Sequence, residues 1–183
     1  MENKSLQEQP SRLVHCTFAK HGEEILDIFN DAILTSTALY EYTPRQLPQI
    51  EQWFGTKDKY HFPVLGIEGG RGELRAFGTY GHFRQFPANK YTVEHSIYVA
   101  RPYRTQGLGS WLLNSLIARA QQEQLHALIG AIDAKNLASC RLHERHGFIR
   151  VGTLPEVGFK FGKWLDLALY QRLLDTPLSP EDG

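Results

Sequence analysis

Apolar residues return along this chain in two rhythms, and the elements change where the rhythm does. A short apolar run over residues 12–18 reads as a first strand. From about residue 22 to 34, Ile25, Ile28, Phe29 and Ile33 recur at helical spacing. Leu34-Thr-Ser-Thr-Ala-Leu-Tyr40 is rich in hydroxyls and β-branched residues, which weaken a helix and suit a loop bordering a pocket. Pro44 is expected to open a second helix carrying Ile50, Trp53 and Phe54, with Gly55 as its stop. Residues 62–68 and 73–83 read as strands joined by the turn Gly69-Gly70-Arg71-Gly72. Phe86-Pro87-Ala88-Asn89 interrupts before a further strand over 91–99. Leu108, Leu112, Leu113, Leu116, Ile117 and Ala120 mark the core stripe of a long helix. A compact apolar run over 126–132 predicts a buried strand, and Asn136 caps a helix that stops at Gly147. Residues 148–153 and 164–173 supply the last strands. This order predicts an α/β (α+β) mixed sheet with helices on both faces. One domain is expected over 12–175, with a disordered tail at 1–11 and a C-terminal tail at 176–183.

Composition narrows the class. A chain of 183 residues, 42% hydrophobic and 22% charged, is ordinary for one soluble core. Twenty basic residues balance twenty acidic ones, so no net field recruits nucleic acid or an acidic membrane. A small-molecule partner is expected instead. No apolar run approaches the roughly 20 residues of a membrane span. The polar start lacks the apolar segment of a signal peptide. Cys16 and Cys140 form neither metal spacing nor a disulfide framework. A cytoplasmic enzyme without a metal is the expectation.

The chemistry concentrates in three stretches. In Arg101-Pro-Tyr-Arg104-Thr-Gln-Gly107-Leu-Gly109-Ser110, a strand gives way to a glycine-opened helix start, whose free N–H groups make an anion cradle. Arg101 and Arg104 add charge for a phosphate. No Lys-Ser/Thr follows the glycines, which argues against a nucleotide P-loop. Along residues 91–99, Glu94, Ser96 and Tyr98 share one strand face and Val93, His95, Ile97 and Val99 the other. Glu94 is either a solvated carboxylate or a general base for an ammonium, which has no lone pair until it loses a proton. His95 is the rival base. Strand parity keeps the two from facing one pocket without a bulge. In the helix after Asn136, capping accounts for Asn136 and Gly147, Cys140 reads as a small buried residue, and His143 is otherwise a surface histidine. Gly158-Phe-Lys-Phe-Gly-Lys-Trp-Leu-Asp166 predicts a hairpin loop able to close over a ligand.

The glycine loop resembles the acetyl-CoA loop of the GNAT N-acetyltransferases. Residues 158–166 resemble the Gly-Phe-Lys-x-Gly-x-Trp-x-Asp signature of the phosphinothricin N-acetyltransferase branch, and the likeness runs from about residue 12 to 174. It implies a GNAT-like fold, with a mostly antiparallel sheet of about seven strands, acetyl-CoA as cosubstrate and a homodimer. The implied cofactor contacts are Ile97, Tyr98, Val99, Arg104, Thr105, Gln106, Gly107, Leu108, Gly109, Ser110 and Asn136. His143, where the family often has Tyr, becomes the acid for the departing thiolate or a partner of the base Glu94. Phe83, Arg84, Tyr91 and Lys160 are implied to meet the acceptor, Arg84 through its carboxylate. The link over 85–90 departs from the family. The expected reaction moves acetyl from acetyl-CoA directly to the α-amine of a small amino acid or analogue, such as phosphinothricin or methionine sulfoximine. The alternatives are acetylation of a protein or peptide amine, and a non-catalytic acyl-CoA-binding module.

Overall fold

The computed structural model describes residues 10–182, so most of the expected N-terminal tail lies outside the described residues. Seven strands form one sheet in the order β1-β2-β3-β4-β5-β7-β6. They are β1 (Arg12–His15), β2 (Val64–Glu68), β3 (Leu74–His82), β4 (Thr92–Val99), β5 (Ala127–Asp133), β6 (Ile149–Lys160) and β7 (Lys163–Leu173). Every pairing is antiparallel except β4 with β5. Among the described residues, four α-helices accompany the sheet: α1 (Phe18–Thr35), α2 (Leu47–Lys59), α3 (Leu108–Gln122) and α4 (Leu137–Arg145).

Strand parity sorts the helices onto two faces. Phe77 and Tyr98 pack with Ile25, Phe29, Ile50 and Phe54 of α1 and α2. Tyr80, Val93 and Leu128 pack with Leu113, Leu116, Ile117 and Cys140 of α3 and α4. Each cluster removes large apolar side chains from water, at about 1.5–3 kcal/mol per fully buried residue.

Several element ends differ from the sequence reading. The strand expected over 12–18 stops at His15, because Thr17 already caps α1 and the His21 ring accepts the Thr17 N–H at 3.1 Å. Helix α2 starts at Leu47 rather than Pro44, where Gln46 and Gln49 form a reciprocal capping box. It runs through Gly55, whose missing side chain faces open space, to Lys59. Strand β6 continues to Lys160, so residues 158–160 are strand, not loop. Phe161 and Gly162 alone make the turn, both at positive φ (52° and 72°), as a two-residue hairpin requires.

After β7 the chain stays attached to the domain. Thr176 Oγ1 donates to the Leu125 carbonyl at 2.5 Å, and the Tyr91 hydroxyl bonds the Glu181 main chain.

Candidate active site

The one parallel pairing is short. Thr92, Val93 and Glu94 lie opposite Ala127, Leu128 and Ile129, and no register continues beyond them. Past that point β4 stays with β3 and β5 with β7, so the two strands diverge. The gap opens a cavity of about 1050 Å³, walled by residues 94–99 of β4 and 130–133 of β5 and by the starts of α3 and α4.

One half of the cavity is a helix mouth. Gly107 caps α3 at φ +81°, a left-handed conformation that strains any other L-residue. The first-turn residues Leu108, Gly109 and Ser110 border the cavity, so their N–H groups suit an anion. Arg104 and Thr105 border it too, whereas the Gln106 side chain turns back to the Pro102 carbonyl. Arg101 and Arg104 both pair with Asp31 of α1. Ser110 Oγ lies 2.8 Å from His146 Nε2, and His146 Nδ1 is held by the Leu142 carbonyl at 2.7 Å. Sequence reading passed over His146, because the two partners are separated by 36 residues and share no local motif. Asn136 caps α4 by accepting the Ser139 N–H, and it also borders the cavity.

The other half holds the titratable groups. Glu94 and His95 point to opposite faces of β4, yet both reach the cavity because it passes through the gap in the sheet. The parity expectation is therefore corrected without a bulge: a pocket formed between diverging strands is open to both faces. Desolvation raises the Glu94 pKa above the ordinary carboxylate value. His143 is buried with its Nε2 2.9 Å from His95 Nε2, not on the surface. Burial lowers the proton affinity of both rings. Ile97, Tyr98 and Val99 line the cavity, but the Tyr98 ring is wedged between Phe29 and Phe77 and belongs to the core.

A strap closes one side of the cavity. Residues 36–40, between α1 and α2, border the cavity. Thr37 donates its hydroxyl to Asp133. Buried Lys160 donates to the carbonyls of Ser36 (2.9 Å) and Leu39 (2.6 Å), and Tyr42 donates to the Phe159 carbonyl. Lys160 thus fastens this loop and is not itself part of the cavity wall. The Tyr40 ring rests on Gly158, where a Cβ would come within 2.5 Å of it. Its hydroxyl is buried without a hydrogen-bond partner. Phe83, Arg84 and Tyr91 also stand off the cavity: the Arg84 guanidinium lies 5.7 Å from the Phe83 ring centre, and Tyr91 holds the C-terminal segment.

Fold and cleft are those of an acyl-group transferase, and the chain belongs to the acetyltransferase (GNAT) family, which matches residues 23–148. It is 43% identical over 155 residues to the L-methionine sulfoximine/L-methionine sulfone acetyltransferase of Pseudomonas aeruginosa, covering 85% of this chain and 90% of that one. An N-acetyltransferase structure from Staphylococcus aureus Mu50 superposes with a TM-score of 0.88 at 40% identity, over 90% of this chain and 99% of that one. The phosphinothricin acetyltransferase of Sinorhizobium meliloti, solved with AcCoA, gives 0.89 at 29% identity, over 93% and 92%. The protein is an acetyl-CoA-dependent N-acetyltransferase.

Proposed function

We propose that this enzyme acetylates the α-amine of a small amino acid or amino-acid analogue. The carrying observation is one cavity that joins the Gly107-capped helix mouth to Glu94 and the His95–His143 pair. The relative named for methionine sulfoximine and methionine sulfone supports the substrate class. So does the strapped acceptor side, whose Glu94 and Asp133 carboxylates suit an ammonium group.

The α3 N–H groups at Leu108, Gly109 and Ser110, with Arg104, would hold the diphosphate of acetyl-CoA. Main-chain groups of residues 97–99, left without a β5 partner, would align the pantetheine arm. The thioester supplies an already activated acyl group. Glu94 takes the proton of the incoming ammonium, and its raised pKa brings it nearer the amine's own affinity. His143 stands by the departing thiolate. We place the enzyme in the cytoplasm as a homodimer. The exposed apolar ribbon of the β6–β7 hairpin (Val157 and Phe159 on the edge strand β6, Phe161 in the turn and Trp164 on β7) supports the pairing.

The test is a panel of free amino acids, methionine sulfoximine, methionine sulfone, phosphinothricin and short peptides, read by CoA release. Free amino acids or analogues should turn over and peptides should not. Turnover of peptides alone would overturn the assignment.

A further inference from the structure

Two imidazoles from distant parts of the chain meet at the cavity wall, and their hydrogen bonds fix where the protons are. His95 and His143 are each 5% exposed, with ring centres 5.1 Å apart. His143 Nδ1 lies 2.7 Å from the Ser139 carbonyl, which can only accept, so that nitrogen carries the ring's proton. Nε2 of His143 is then a lone pair, and the 2.9 Å contact needs the proton that lies between the rings to come from His95 Nε2. His95 Nδ1 is left bare and buried without a hydrogen-bond partner, as an acceptor with no donor in reach would be. The Ile129 backbone favours the protonated ring, so a further proton on the pair goes to this nitrogen.

We propose that His95 is a positioning residue for His143: its Nε2–H locks His143 as the neutral, Nδ1-protonated tautomer, and the two rings together accept one further proton, never two. The catalytic consequence rests on the reading that His143 serves the thiolate.

Two protons added to the pair would set N–H against N–H and bury two cations side by side, which a dry interior opposes. The surroundings offer no counter-charge. Phe148 packs against both rings. From β7, the Tyr170 ring lies 6.0 Å from His143, its hydroxyl donating to Glu144, with Cys140 alongside. From α4, a charged His146 would lower His143 further. Glu94, next in the chain, points to the opposite face of β4. Among the described residues no carboxylate is hydrogen-bonded to either ring. The pair therefore rests uncharged beside the path of an incoming ammonium.

The experiment is imidazole ¹⁵N NMR on the coenzyme-free protein near neutral pH, combined with kinetics of two His95 variants. The expected spectrum shows protons on His143 Nδ1 and His95 Nε2 and none on His143 Nε2. His95→Gln keeps an N–H donor and should hold kcat within about fivefold. His95→Leu should lower kcat by about twentyfold or more, with the KM for acetyl-CoA within about twofold. Freed of its neighbour's N–H, His143 should also titrate about one pH unit higher in the same spectra. A proton on His143 Nε2, or a Leu variant with unchanged kcat and an unchanged His143 titration, overturns the proposal. Should the enzyme acetylate no amino acid, the spectrum of the wild type still decides the tautomer. It does the same, with His95→Gln, should the Leu variant not fold.

Discussion

Two buried polar clusters sit in different parts of the same sheet, and they are built on opposite terms. At the β1–β2 edge, the fully buried Glu68 receives Arg12, Lys20 and His21, so its oxygens are engaged on all sides. At the β4–β5 divergence, Tyr40 Oη and His95 Nδ1 are buried without hydrogen-bond partners. Buried polar groups left unsatisfied are costly and uncommon in folded proteins. The completed cluster serves the fold. The incomplete one borders the cavity.

The sharpest way to break this contrast is Glu94→Gln. It should lower kcat/KM by about 10²–10³-fold, while calorimetry finds acetyl-CoA affinity and the melting temperature unchanged. The mirror experiment is Glu68→Gln, which should cost about 1–3 kcal/mol in a denaturant titration and leave turnover per folded molecule intact. A cluster that mattered to both would erase the distinction.

Acid titration separates the same two carboxylates. The bonds from Lys20 and His21 hold Glu68 down to about 2 from its ordinary 4.5. Its contribution to stability is complete above 4.5 and is lost as pH falls towards 2. Desolvation moves Glu94 the other way, so its carboxylate is lost above 4.5. On acidification activity should therefore fall before ellipticity does, and simultaneous loss would contradict the assignment.

The smallest effect is expected from Gly130→Ala on β5. The added Cβ would lie 3.2 Å from His143 Nε2 and from His95 Cε1. A displacement of a few tenths of an ångström should lower kcat by about three- to tenfold, with stability within about 1 kcal/mol. No change in kcat would mean that the alignment of the rings is loose.

Local pattern carried much of this. The stripe from Leu108 to Ala120, the period of two along β4 and the Asn136 cap depend on neighbours in sequence, and all three stand in the structure. The cavity does not depend on neighbours. It exists because β4 and β5 part company beyond Glu94 and Ile129, while each keeps its other neighbour, and no residue near Glu94 announces that parting. For the same reason His95 and His143, 48 residues apart, looked like a rival base and a surface side chain until helix α4 brought them together. Lys160 is a residue that the family resemblance implies to meet the acceptor, while in the structure its ammonium is committed to two carbonyls.

That commitment has a bearing on how the enzyme could change its diet. Carbonyls are common to all twenty amino acids, so the grip of Lys160 is indifferent to which residues occupy positions 36 and 39. Both positions look onto the acceptor side. A library randomised there should retain the closed loop while altering which nitrogen compounds are accepted, leaving the helix mouth across the gap untouched.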